Sequence, residues 1–187
     1  MVSTAAVLTV ALGAADRAGP REIDVRKSVM TVRVFKSGLF SVFGHEHEIS
    51  APIREGTLNE AGRSVELAVG ARTMRVMDKD VSEKERAEIQ ETMLGAKVLD
   101  SERYPEIRFH STALESSGAG RWIVRGDLSL HGQTHPIKLE VQGENGHYRG
   151  TAGLKQRDFG IEPIVVGGGT VKVKDELRLE FEIVAKP

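Results

Sequence analysis

Val171-Lys172-Val173-Lys174-Asp175-Glu176-Leu177-Arg178-Leu179-Glu180-Phe181-Glu182-Ile183 puts its large apolar side chains at odd positions, with charged ones between them. A strand sends successive side chains to opposite faces, so this run predicts one dry face and one wet one. Working back along the chain, the same period recurs. Ile137, Leu139 and Val141 alternate with polar residues, as do Trp122, Val124, Leu128 and Leu130. Ile107 and Phe109, then Val65, Leu67, Val69 and Ala71, and finally Met30, Val32 and Val34 repeat the pattern. Met74 and Val76 carry on from Ala71 in the other parity, which predicts a bulge near Arg72-Thr73.

Turn chemistry separates these runs. Asn59 to Gly62, Ser116 to Gly120, Asn145-Gly146 and Gly167-Gly168-Gly169 all interrupt the alternation. Eight strands follow, near 26–36, 45–58, 63–76, 104–115, 121–131, 135–143, 147–157 and 170–185. Short connections make successive strands antiparallel. Eight strands with one apolar face each either close into a barrel or stack as a sandwich, and alternation alone does not choose. One segment departs from the pattern. Ser82-Glu83-Lys84-Glu85 is a capping box, and residues 83–94 lack Pro and Gly, which predicts an α-helix ending at Gly95. Ile89 and Met93 lie one turn apart, so this single inserted helix suits a position across a barrel end.

Composition narrows the function. The chain has 187 residues, Lys+Arg 26 against Asp+Glu 27, and no cysteine. Disulfides, thiolate metal sites and cysteine nucleophiles are excluded. No basic cluster marks a nucleic-acid partner. Ala5 to Ala15 is an apolar run too short to span a bilayer but suited to the centre of a secretory signal, although Met1-Val2-Ser3-Thr4 carries no Lys or Arg. Residues 1–15 are therefore read as a signal peptide and 22–187 as the folded domain, in a periplasmic or secreted protein.

Catalytic signatures are missing: there is no Gly-x-Ser-x-Gly, no His-Glu-x-x-His and no phosphate loop ending in Gly-Lys-Ser/Thr. Asp78-x-Asp80-x-Ser82 begins like a calcium loop, but Glu83 and Ile89 occupy the positions that need Gly and Glu. The chain is not expected to be an enzyme. Gly44-His45-Glu46-His47-Glu48 is the feature that resists this reading, because His45 and His47 share the parity of Ile49, Ala51 and Ile53. His135 shares that of Ile137 and Leu139. His45, His47 and His135 could thus meet at one barrel mouth and hold zinc or copper, as a binding site or, with an open fourth position, a metalloenzyme, or else bond to carbonyls or a ligand headgroup.

Two further stretches carry a family likeness. Asp100-Ser101-Glu102-Arg103-Tyr104-Pro105-Glu106-Ile107-Arg108-Phe109, then Val124-x-Gly126-Asp127-Leu128-x-Leu130-His131-Gly132-x-Thr134-x-Pro136-Ile137, resemble the central signature of the YceI-like family. Arg157-Asp158-Phe159-Gly160-Ile161 fits the same pattern, and the likeness spans roughly residues 22 to 185. The resemblance implies an eight-stranded, antiparallel, lipocalin-like barrel, commonly periplasmic. It also implies a polyisoprenoid or isoprenoid-quinone ligand. No cofactor is expected to be required, and transient contact with membrane or envelope proteins is a further expectation. Gly44 to His47 and His135 depart from the family pattern.

A ten-residue strand is about 33 Å long, and a tilt near 40° leaves about 25 Å along a barrel axis. The lumen candidates are Met30, Val32, Val34, Leu67, Val69, Met93, Phe109, Leu128, Leu130, Leu139, Leu179 and Phe181. The opposing expectation is a barrel filled by these same side chains, structural and without ligand.

Overall fold

Alternating runs and turn residues produce an all-β fold with one helix in the computed structural model, which describes residues 19–37, 46–166 and 171–187. The strands are β1 Arg21–Glu22, β2 Val29–Ser37, β3 His47–Ser50, β4 Ile53–Asn59, β5 Ser64–Gly70, β6 Arg75–Val76, β7 Glu106–Gly118, β8 Arg121–Leu130, β9 Gln133–Glu144, β10 His147–Lys155, β11 Val165–Val166 and β12 Val171–Val184. They form one antiparallel sheet in the order β1-β4-β5-β7-β8-β9-β10-β12-β2-β3-β6, with β11 beside β12. The helix α1 is Glu83–Leu94.

The sheet therefore has twelve strand segments rather than the eight expected. The expected strand 45–58 is cut at Ala51-Pro52, where proline supplies no N–H to a ladder, and its halves serve different neighbours. β3 pairs with β2, and β4 pairs with β5. The expected strand 63–76 is interrupted by a 3-10 turn at Ala71–Thr73, not by a bulge, and Thr73 Oγ1 donates to Gly70 O at 2.7 Å. The very short β1 and β11 make up the rest.

The sheet is curled, in the manner of a half-barrel. Residues 21–24 lie between β4 and the end of β12: Ile23 N donates to Gly56 O at 2.9 Å, and Asp24 N donates to Val184 O at 2.7 Å. Lys186 N donates to Glu22 O at 2.7 Å, so the first strand in the sheet order also touches β12. The hairpins at His131-Gly132 and Asn145-Gly146 have positive φ at both residues (51° and 75°, 55° and 81°), the geometry that matches strand twist.

The helix forms as read. Ser82 Oγ accepts from Glu85 N and the Glu85 carboxylate accepts from Ser82 N, and the helix gives way at Gly95. Gln90 fastens it to the sheet, accepting from Val76 N at 2.9 Å and donating to Met74 O at 3.0 Å. Met93 is buried and Ile89 packs against the core. The expected leader, residues 1–15, and the Gly167–Gly169 turn lie outside the described residues.

Candidate functional site

The concave face of the sheet encloses a cavity of about 1160 Å³. All twelve lumen candidates line it. The wall follows strand parity: Met30, Val32, Val34 and Lys36 from β2, Leu177, Leu179, Phe181 and Ile183 from β12, Trp122, Val124, Leu128 and Leu130 from β8. The interior is hollow where a small barrel would be filled, and two of the rings that line it lie close against glycine backbone. A Cβ on Gly126 would stand 2.5 Å from the Phe109 ring and 2.4 Å from His110 O. On Gly150 it would stand 2.6 Å from the Phe181 ring. Each aromatic ring is thus packed closely against the backbone of the neighbouring strand, across the wall of the cavity.

Polar groups are confined mostly to the two ends. At the end formed by the β4–β5 and β9–β10 turns, Tyr148 Oη donates to Glu60 Oε1 at 2.9 Å, and Arg21 Nη1 lies 3.7 Å from the same oxygen. Burial, and secondly the Glu60 carboxylate, push the Tyr148 phenol up to about 12. At the opposite end stand Lys36, His47, Gln156 and the Glu85-Glu88-Ile89-Thr92-Met93 face of α1, which lies over this mouth. His47 Nδ1 is 2.5 Å from Asp78 Oδ2, and Asp78 Oδ1 accepts from Glu48 N at 2.8 Å. Arg86 Nε donates to Asp78 O at 2.9 Å, tying the helix to the same loop. Desolvation lowers the Lys36 ammonium below the ordinary lysine value, opposed by the charge of Asp78.

The expected histidine cluster is not assembled among the described residues. His45 lies outside them. His47 is on β3 and His135 on β9, with β2, β12 and β10 between, which is about 19 Å measured along a sheet of ordinary strand spacing. His135 packs edge-on against Phe159 with ring centroids 5.4 Å apart. Among the described residues no three His, Asp or Glu side chains are grouped so as to hold a metal.

Three stretches of the sequence signature converge instead on a structural junction. Tyr104 meets the His131 ring edge-on at 5.0 Å, His131 Nδ1 donates to Phe159 O at 3.0 Å, and Gly132 leaves room for the Tyr104 ring. Phe159 comes from a 3-10 turn, Gln156–Phe159, and is 1% exposed. It sits where the β9–β10 ladder ends at Leu139–Ala152, although β9 stays paired to β8 as far as Gln133. The strands part there around a second cavity of about 670 Å³, which shares Ile137, Leu154, Lys155, Phe159 and Leu177 with the first. Sequence reasoning held Phe159 within the family-like stretch but gave it no role, because a 3-10 turn has no usable period. It also passed over Lys36, whose even parity with Met30, Val32 and Val34 was in view.

The comparisons agree with this architecture. A UPF0312 protein of Vibrio cholerae is 27% identical over 191 residues, covering 96% of this chain and 94% of the relative. One from Pseudomonas syringae pv. tomato is 42% identical over 98 residues, covering 47% of this chain and 49% of the relative. Among solved structures, Burkholderia cenocepacia BcnA superposes with a TM-score of 0.59 at 19% identity, covering 88% of this chain and 99% of that one. The Campylobacter jejuni YceI protein gives 0.53 at 12% identity, covering 74% and 81%. Both structures share the fold. Residues 22–185 match the YceI-like domain, and the chain belongs to that family.

Proposed function

We propose that the protein binds a long polyisoprenoid lipid, such as an isoprenoid quinone, in the main cavity and stores or carries it in the cell envelope. The carrying observation is the hollow interior of about 1160 Å³ lined by strand side chains of one parity. It exceeds the roughly 300–1,000 Å³ of ordinary small-molecule pockets. A curled sheet about 25 Å deep suits a long thin chain, and each buried methylene contributes about 0.8 kcal/mol of gross transfer free energy. No catalytic residue is needed. Export through a leader at residues 1–15 would bring the protein to such lipids.

The test is an organic extract of protein purified without detergent from a bacterial host, read by mass spectrometry beside the native mass. A stoichiometric isoprenoid is the expected result. Leu130→Asp or Phe181→Asp should abolish retention in protein that keeps its strand circular dichroism. An empty wild-type cavity, or retention unchanged in both folded variants, refutes the reading.

A further inference from the structure

The mouth beneath α1 contains a cation whose situation the apolar cavity does not explain. Lys36 ends the inward-facing row Met30, Val32, Val34 on β2 and is half-buried at the cavity wall. Among the described residues no carboxylate forms an ion pair with it. The internal segments outside the described residues, 38–45 and 167–170, contain no Asp or Glu.

The acids near this mouth are already engaged. Asp78 is 5% exposed and bonds to His47 and to Glu48 N. Glu85 closes the capping box on Ser82, and Glu88 lies 3.9 Å from Lys84. Lys155, the other cation lining this end, is exposed. A partly desolvated ammonium without an ion-pair partner is unfavourable; the loss of hydration holds Lys36 below its usual basicity, and the charge of Asp78 offsets this only in part. Such a group is stabilised by an oxyanion, which it would bind by charge-assisted hydrogen bonds.

We infer that Lys36 marks a headgroup site for an oxyanion, so that the preferred ligand is a long apolar chain ending in a phosphate or a carboxylate. This rests on the cavity being a lipid chamber, and it narrows that reading from isoprenoids in general to acidic ones. The tail occupies the strand-lined interior, and the head stops at Lys36 under the Glu85-to-Met93 face of the helix.

The experiment compares three probes with one tail: geranylgeranyl monophosphate, geranylgeranoic acid and geranylgeraniol. Trp122 is the chain's single tryptophan and lines the cavity, so its emission reads occupancy in the full chain. The wild type should bind at least one anionic probe about tenfold or more tighter than the alcohol, the range of a charge-assisted bond. Lys36→Met should remove that preference while leaving the alcohol within about threefold, which also shows that the variant is folded. Lys36→Arg should restore it. A preference for only the phosphate or only the carboxylate identifies the head.

Equal binding of all three by the wild type, or an anion preference that survives Lys36→Met, overturns the headgroup site and leaves the lipid chamber standing. Failure of all three to perturb Trp122 and to bind by native mass overturns both.

Discussion

Gln90 holds α1 over the mouth through two hydrogen bonds to backbone, one from Val76 N at 2.9 Å and one to Met74 O at 3.0 Å. Gln90→Leu keeps side-chain volume and helix propensity while deleting both. A net value of about 0.5–1.5 kcal/mol per bond gives a loss of about 1–3 kcal/mol in the free energy of lifting the helix off the sheet. At about 1.36 kcal/mol per factor of ten, amide exchange within residues 83–94 should quicken by about fivefold to 150-fold. Hydrogen exchange read by mass spectrometry measures this peptide directly. Amides of β7 and β8 should change far less, because those strands are paired along their length and need a larger opening. If α1 exchange is unchanged, Gln90 is not its fastening. If every strand accelerates equally, the helix opens only with the whole fold and is no independent cover.

Two glycines give a matched pair. Gly126→Ala forces a Cβ to within 2.4 Å of His110 O and should cost about 1–3 kcal/mol, lowering Tm by about 2–10 °C, whereas Gly153→Ala meets nothing within 4 Å and should stay within about 0.5 kcal/mol of wild type. Equal melting temperatures would refute the close-packing argument. The Tyr148 phenol, pushed up to about 12 by burial and then by Glu60, should titrate by ultraviolet absorbance in a Tyr104→Phe background well above an ordinary tyrosine near 10. The folded state holds that proton more tightly than the unfolded chain. Its stabilisation is therefore complete below pH about 10 and is lost as pH rises toward about 12. Glu60→Gln should lower the midpoint only in part, because burial is the larger cause. A midpoint near 10 in the unmodified side chain would remove the argument.

The wall of the cavity was legible because a curled sheet with one dry face imposes a strict period of two, and Val171 to Ile183 states that period plainly. The capping box at Ser82 and the Asn145-Gly146 turn were legible because each is a local interaction. What stayed hidden were events that change neighbours without changing composition. Pro52 looked like part of one strand, yet it separates a half that pairs with β2 from a half that pairs with β5. On β7 the register shifts between Ser111 and Ala113, moving the inward parity from Phe109 to Leu114. No residue type announces that. The His47–Asp78 bond joins residues 31 apart, and its partner could not be read from the histidine motif alone. His47 does face the cavity, as its parity with Ile49 implied, but in company with a carboxylate and not with His135.

β12 pairs with β10 on one side and with β2 on the other, and its end meets residues 21–24. Met30 faces Phe181 and Val32 faces Leu179, from opposite ends of the chain. At roughly 5–20 residues per second of synthesis, β2 waits roughly 7–30 s for the strand that will cover it. During that interval β2 and β10 each show a bare edge, the kind of surface that holdase chaperones shield and that otherwise pairs with another chain. A fold so dependent on distant partners is expected to form slowly. It also sets an order of events: the nascent protein has no complete chamber until its final strand joins β10 to β2.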